Sequence, residues 1–258
     1  MKLSPAAVLG PWAWGILVSS WLVRRWRAVK PSFHGTMCLT AAAIMGLLAY
    51  VGERGLGAGS RAIWLLANIV VAIAAGAAGM FYWFDTRFPL RVADALQVSA
   101  LVVSAVVTVV HSIGTVPSSA ADLALARAMT AMLFLGSATG TMVLGHWYLV
   151  DPRLDRRAIG RLGGLMLLSL PAEVAALMLA PGMAEVWSRQ PTAFVDVYLP
   201  KFWLANLVAT ALFGAGVLVS LRAKGYSGVM AATGLSYLAI LTAFGVDVLA
   251  KALIGALG

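Results

Sequence analysis

The chain has 258 residues, of which 61% are hydrophobic and 11% charged, and its formal net charge is +9. Soluble domains carry about 25% charged residues, so this composition excludes a soluble globular protein and predicts an integral membrane protein. Membrane topology accounts for the positive charge, and nucleic acid is not an expected partner. Cys38 is the single cysteine, which excludes an internal disulfide, a thiolate zinc cluster and a cysteine-ligated iron–sulfur centre.

Eight apolar stretches follow one another along the chain. Each has about the 20 residues that a helix needs to cross a bilayer, and turns containing Gly, Pro, Ser or Asp separate them. The sequence therefore predicts an all-α, polytopic membrane protein with eight transmembrane helices and no room for a soluble catalytic domain. The predicted spans are 6–23, 35–51, 62–84, 92–113, 123–150, 162–180, 202–221 and 229–257.

Basic residues are distributed unequally between the two sides of these spans. Since loops rich in Lys and Arg stay in the cytoplasm, we expect the richer side to be cytoplasmic, both termini to lie outside, and the protein to reside in a bacterial inner membrane. The richer side holds twelve basic residues: Arg24, Arg25, Arg27, Lys30, Arg87, Arg91, Arg153, Arg156, Arg157, Arg161, Arg222 and Lys224. The other side holds five: Lys2, Arg54, Arg61, Arg189 and Lys201.

The first and second halves of the chain contain similar spans. The third span, "WLLANIVVAIAAGAAG" (64–79), aligns with "FWLANLVATALFGAGV" (202–217) of the seventh, which pairs Asn68 with Asn206. Weaker matches join 35–48 to 164–177 and 9–25 to 135–151. Because paired spans run in the same direction, we predict two four-helix halves, 1–117 and 118–258, related by a pseudo-twofold axis along the membrane normal. The alternative explanation of these sequence matches is that Ala/Gly-rich spans resemble one another by composition alone.

The stretch "GHWY" (145–148) ends the fifth span next to an arginine-rich turn. The repeat places Trp147 on Trp21, and aromatic residues at such positions are typical of the membrane interface. We therefore interpret Trp147 and Tyr148 as anchors. His146 aligns with Ser20 and keeps a separate role. Upstream, glycines at 136, 140 and 145 have the small-residue spacing that allows close approach of another helix.

Polar residues inside spans are costly and are therefore candidate site residues. No nucleophile with its base, phosphate-binding loop or pair of metal carboxylates accompanies them, so neither a metal site nor a self-contained hydrolase or transferase is expected. Glu173, two residues after Pro171, is predicted near mid-depth as a proton relay. Asn68 and Asn206 would line a substrate path. The remaining candidates for cofactor binding are His34, Asp94, Gln97 and His146 toward the cytoplasm and His111, Arg127, Asp247 and Lys251 toward the outside.

Two of these sets have specific interpretations. His34 and His146, on one side, would together bind haem b, a metal or an acidic headgroup, with hydrogen-bonded interfacial roles as the alternative. Asp247 and Lys251 are four residues apart and would form an ion pair on one helix face. A lysine and an acid in the last helix also resemble the Schiff-base lysine and counter-ion of microbial rhodopsins. The third span ends "MFYWFDTRFPL", which departs from that family's pattern, so retinal is not expected.

Eight spans in two four-helix halves, with both termini outside and no redox-active cysteines, resemble the membrane anchor subunits of polysulfide and dimethyl-sulfoxide reductases. That resemblance implies a quinone among the helices and a partner redox subunit that carries iron–sulfur centres. We therefore expect a membrane subunit of a respiratory or other redox complex that binds quinone and relays protons, with membrane lipids and other membrane or periplasmic redox subunits as partners. A transporter of small solutes or lipids and a non-catalytic structural subunit are the alternatives.

Overall fold

The computed structural model describes residues 4–52, 58–84, 90–114, 116–152, 154–183, 186, 194–223 and 225–257. Within these ranges the chain is α-helical without β-strands, and a short 3-10 turn, Ser118–Ala120, precedes the fifth long helix. The long helices are α1 (Pro5–Trp26), α2 (Pro31–Val51), α3 (Ala58–Phe84), α4 (Leu90–Gly114), α5 (Ala121–Val150), α6 (Arg156–Met178), α7 (Phe194–Ser220) and α8 (Tyr226–Leu257).

These eight helices are long and apolar enough to cross a membrane. The shortest, α2, has 21 residues, and a rise of about 1.5 Å per residue gives it a length of about 30 Å, the thickness of the hydrocarbon core. The prediction of an all-α chain is confirmed for the described residues, and so is the prediction of eight helices with the length and composition of membrane spans. The helices indicate a multi-pass membrane protein.

Several helices begin earlier than hydropathy predicted, because their first turns are polar. α6 starts at Arg156 rather than 162, and the Asp155 carboxylate caps it by accepting a hydrogen bond of 2.9 Å from the Arg157 backbone N–H. α2 starts at Pro31, whose ring suits the first turn of a helix. Residues 194–200, assigned from the sequence to a loop, form the start of α7, with Pro200 inside the helix.

The helices pack in two groups of four along the chain. In the first group α1 and α3 each contact both α2 and α4, and in the second group α5 and α7 each contact both α6 and α8. The main contact between the groups joins α1 to α5, and α4 adds a smaller contact to α5. α1 and α5 are accordingly the most buried helices, whereas α3 and α7 expose broad apolar faces.

Small residues allow α1 and α5 to touch through their backbones. A Cβ atom on Gly15 would overlap the Met132 carbonyl, and one on Gly136 would overlap the Gly15 backbone. Two further glycines of α5 also face neighbouring helices: a Cβ on Gly140 would lie 3.2 Å from the Ser19 Cβ, and one on Gly145 would lie 2.7 Å from the hydroxyl of a threonine in α8. The close approach predicted from the glycine spacing is therefore present.

Part of the predicted orientation rests on residues outside the described ranges. Those positions are Lys2, Arg54, Arg87, Arg153, Arg189, Lys224 and residues 85–89 of the "MFYWFDTRFPL" segment. We call the end of the molecule that carries the α1–α2 and α5–α6 connections the basic end. The α4–α5 connection lies at the opposite end.

Candidate functional site

A cluster of charged side chains lies inside the second group of helices, and we call it the Glu173 cluster. It consists of Arg127 and Thr130 from α5, Glu173 from α6, and Asp247 and Lys251 from α8. The Thr130 hydroxyl donates a hydrogen bond to Oε2 of Glu173, and the Lys251 ammonium donates to Oδ1 of Asp247. The four charged residues are buried, with Arg127 the most exposed at 6%.

The charges of this cluster interact with one another as well as through the hydrogen bonds. Arg127, Asp247 and Lys251 all lie close enough to Glu173 to act on its charge, and Asp247 also acts on Arg127. Oδ2 of Asp247 is buried and has no hydrogen-bond partner within the described part of the chain. An acceptor atom in this condition is available to a water molecule or to a ligand donor.

Glu173 lies closer to the C-terminal end of α6 than to its start, and its predicted depth in the membrane stays a prediction. α6 ends at Met178, five residues further on, which corresponds to about 8 Å along the helix axis. Arg127 and Thr130 follow the start of α5 at Ala121, so the cluster lies toward the opposite end from the basic loops. Pro171 precedes Glu173 within α6 and leaves the carbonyl four residues earlier without its usual helical hydrogen bond.

A second cluster, here called the Arg24 cluster, lies at the basic end inside the first group. The Arg24 guanidinium binds the Asp94 carboxylate through both oxygens, with Nε–Oδ1 at 3.0 Å and Nη2–Oδ2 at 3.3 Å. The Tyr82 hydroxyl lies within hydrogen-bonding reach of Asp94 and of Oε1 of Gln97, the latter at 2.9 Å. The Gln97 amide in turn donates to the Leu17 carbonyl at 3.4 Å. Three helices are thereby joined around one buried glutamine.

The two histidines predicted on this side have different partners. His34 is buried and its Nδ1 lies 3.1 Å from the Ser20 hydroxyl. His146 is exposed, and its described hydrogen bond, of 3.3 Å, joins Nδ1 to the Tyr237 hydroxyl of α8. The structure thus places His34 in the first group of helices and His146 against the second. Binding of one haem by both histidines stays a prediction.

The two aromatic residues after His146, Trp147 and Tyr148, contact different parts of the molecule. Trp147 packs against the rings of Phe33 and Trp83, with centroids 6.1 and 6.0 Å away. Tyr148 is buried, and its hydroxyl accepts a hydrogen bond of 3.3 Å from Nε of Arg156. Both residues lie at the basic end, as expected of interfacial aromatics. Tyr148 additionally holds the start of α6 against the end of α5.

The remaining candidates lie outside both clusters. His111 contacts the Trp64 ring, with centroids 6.3 Å apart. The Asn68 and Asn206 side chains make the same local bond, each donating to the carbonyl four residues earlier in its own helix, at 2.7 and 2.8 Å. Asn206 also lies against Gly245 of α8, where a Cβ would clash with its side chain.

Sequence reasoning missed three contributors: Arg24, Tyr82 and Thr130. Arg24 belongs to a basic run that was assigned to topology alone. Tyr82 shares the buried face of α3 with Asn68 and Ala75, a helical spacing that places it inside the bundle. Thr130 has no distinguishing signal, because its partner Glu173 is 43 residues away in the sequence.

The fold and the clusters define a class: an α-helical, multi-pass membrane protein with four charged residues buried inside the second group of helices and a partly exposed Arg24–Asp94 ion pair in the first. No family model, no curated protein and no solved structure matches the chain. The resemblance to reductase anchor subunits therefore rests on the number and composition of the helices.

Proposed function

We propose that the protein is a membrane subunit of a quinone-dependent redox complex, and that the Glu173 cluster exchanges the protons that accompany quinone chemistry. The observation that carries the proposal is the burial of Arg127, Glu173, Asp247 and Lys251 inside apolar helices. A charge within a membrane costs several kcal/mol unless it is paired or hydrated, so ionisable residues in spans mark functional sites by default.

Quinone reduction needs hydrogen-bond donors for the carbonyl oxygens and a source of protons, and the side chains of the cluster suit both requirements. Reduction to a quinol adds an electron pair and two protons, and the electrons would come from a redox centre in a partner subunit. Arg127 and Lys251 are donors that suit a quinone carbonyl oxygen. Glu173 would deliver the protons, because it is the carboxylate whose only described hydrogen bond comes from a neutral hydroxyl, that of Thr130.

Lateral access from the lipid supports this choice of site. Among the described residues α7 packs closely against α8 but only sparsely against α6. Glu173 lies on α6, one of the two helices of this sparser contact, and its described interactions are with α5 and α8. A quinone has an apolar tail and would enter through such a sparse contact from the bilayer.

Quinone binding is tested with the purified protein in lipid nanodiscs. We expect quinone in the organic extract, and saturable quenching of the fluorescence of the nine tryptophans by an added short-chain quinone. The absence of both would remove the redox proposal and favour a transporter or a structural subunit.

The role of Glu173 is tested by infrared difference spectroscopy during electrochemical reduction of the bound quinone. We expect a change in a carboxyl C=O band that disappears in Glu173→Gln, because the amide retains the acceptor for Thr130 but does not titrate. Quinone binding and folding should persist in that variant. Asp151→Asn, at the basic end, is the matched control and should keep the band. A band unchanged in Glu173→Gln would exclude this residue from the reaction.

The internal repeat and the orientation complete the proposal. The matching ring of contacts within α1–α4 and within α5–α8 supports two halves, 1–117 and 118–258. The equivalent local bonds of Asn68 and Asn206 support the same alignment. In this proposal the basic end faces the cytoplasm of a bacterial cell, the Glu173 cluster lies near the outer surface, and partner redox subunits dock on the membrane assembly.

A further inference from the structure

The buried face of α4 is polar, which is the reverse of what an ordinary core-facing helix shows. Its buried residues are Ala93, Gln97, Ala100, Ser104, Thr108, His111 and Ser112, with no large apolar side chain among them. Its exposed residues include Val98, Val102, Val106 and Val110. A membrane helix that turns valines to the lipid and polar groups inward is typical of one lining a polar interior.

Several buried polar atoms in the first group of helices have no hydrogen-bond partner within the described residues. They are Nε2 of His34, Oδ1 of Asn68, Oγ1 of Thr108 and Nε1 of Trp14, contributed by all four helices of the first group. Nearly all buried polar atoms in proteins are satisfied, and those that are not commonly mark the positions of internal water. Because all four helices of the group contribute such atoms, they point to internal water within this half.

The Arg24 cluster connects this interior to the basic end. The Asp94 side chain is 42% exposed, whereas Gln97 is 1% exposed. The Tyr82 hydroxyl lies between these two and has a single proton, which it donates to one or to the other. In a balanced transfer, the protonated Asp94 carboxyl would give its proton to the Tyr82 oxygen while the Tyr82 hydroxyl released its own proton to a water held by Gln97.

The polar face of α4 is nearly as long as the hydrocarbon core of a membrane is thick. Asp94 and His111 are separated by 17 residues on α4, or about 26 Å at about 1.5 Å per residue, close to the roughly 30 Å of the hydrocarbon core. The widest interval, from Gln97 to Ser104, spans about 10 Å by the same rise and needs several waters. The polar face thus covers nearly the whole membrane.

We propose that α4 lines a hydrated path that conducts protons through the first half, from Asp94 and Tyr82 at the basic end to His111 at the opposite end. Gln97, Ser104 and Thr108 hold the intervening waters, and His34 faces the path beside them. The ionisable groups that act on His34 are Arg24 of α1 and Asp94 of α4, while Tyr82 of α3 packs beside its ring and Cys38 of α2 acts on Tyr82. This path lies in the other group of helices from the Glu173 cluster and does not depend on it.

The test is proton flux into liposomes that contain the purified protein. A potassium diffusion potential drives the flux, and an enclosed pH indicator reports it. Wild-type protein should conduct above protein-free liposomes. Gln97→Met and Thr108→Val keep the side-chain volume but remove the polar groups, and both should reduce the flux to the protein-free level. Thr210→Val is the matched control, because Thr210 is a buried hydroxyl bonded to Thr242 in the second group of helices, and its flux should equal wild type.

Each other outcome contradicts the path. Absence of wild-type flux, or full flux in both α4 variants, would overturn it. A loss in Thr210→Val as large as in Thr108→Val would show that the flux does not depend on α4 specifically. If Glu173→Gln alone abolished the flux, the protons would travel through the second half, which would refute this inference while supporting proton exchange at Glu173.

Discussion

Asp247 and Lys251 form an ion pair that is almost wholly buried, whereas Lys30 and Asp151 form one at the basic end with the lysine 71% exposed. The two pairs have the same chemistry in different surroundings. In the buried pair bulk water reaches neither charge, so each depends on its partner and on the other charged side chains of the Glu173 cluster. At the surface water takes over that role.

We predict that breaking these two pairs lowers stability by different amounts. Asp247→Asn removes the carboxylate bonded to the buried Lys251 ammonium and leaves Glu173 as the nearby carboxylate for both Arg127 and Lys251, and should lower the free energy of unfolding by about 3–5 kcal/mol. Lys30→Gln should lower it by no more than about 1 kcal/mol. Thermal unfolding in detergent, followed by circular dichroism, measures both effects. Adding Lys251→Met to Asp247→Asn should recover much of the loss. A double variant as unstable as the single one would show that the carboxylate serves a different partner.

At the scale of elements, the contact of α1 with α5 joins the two groups of helices through backbone rather than through large side chains. Membrane helices gain little from burying apolar surface against each other, since lipid is equally apolar, so close packing stabilises their contacts. Gly15 and Gly136 allow that packing. Trp12 of α1 secures the same contact through its Nε1–H, which donates to the Thr139 hydroxyl at 2.9 Å.

A methyl group at the crossing should therefore be poorly tolerated. Gly136→Ala forces the α1 and α5 backbones apart and should cost about 1–3 kcal/mol, the usual range for overpacking. Gly164→Ala is the control: a Cβ there meets no atom within 4 Å, and alanine is the better helix former by about 1 kcal/mol. Melting temperatures of the two variants should shift in opposite directions. Equal stability of Gly136→Ala and wild type would mean that the helices separate freely.

The elements differ in how well the sequence predicts them. Each span was recognisable because about 20 apolar residues in a row have few alternatives to a membrane helix. The Asp247–Lys251 pair was also predictable, since spacing along one helix fixes it. The bond between Thr130 and Glu173 and that between Arg24 and Asp94 span 43 and 70 residues of sequence. Their geometry depends on how helices rotate and pack, which apolar patterns specify only weakly.

At the scale of the whole molecule, the two clusters lie toward different ends and in different groups of helices. The Arg24 cluster lies where α1 ends and α4 begins, whereas the Glu173 cluster lies where α5 begins and α6 ends. The orientation of the molecule in its membrane therefore decides which cluster meets which aqueous compartment.

Single cysteines in a Cys38→Ala background should determine that orientation. We expect a membrane-impermeant maleimide to label Ser119→Cys in intact bacterial cells, because the α4–α5 connection is predicted outside. Leu154→Cys, in the α5–α6 connection, should react only after the cells are permeabilised. The reverse labelling pattern would mean that the basic end faces outward and that Glu173 lies near the cytoplasm.

The position of Glu173 has an electrical consequence. It lies five residues, or about 8 Å, before the end of α6 at Met178. With the membrane boundary taken at that helix end, about 8 Å of the roughly 30 Å hydrophobic thickness would separate Glu173 from the nearer aqueous phase. Moving one elementary charge through 100 mV costs about 2.3 kcal/mol, so a proton that binds from the nearer side meets only about 0.6 kcal/mol of that work. Protonation from that side is therefore nearly independent of voltage, whereas transfer to the far side crosses almost three-quarters of the membrane potential.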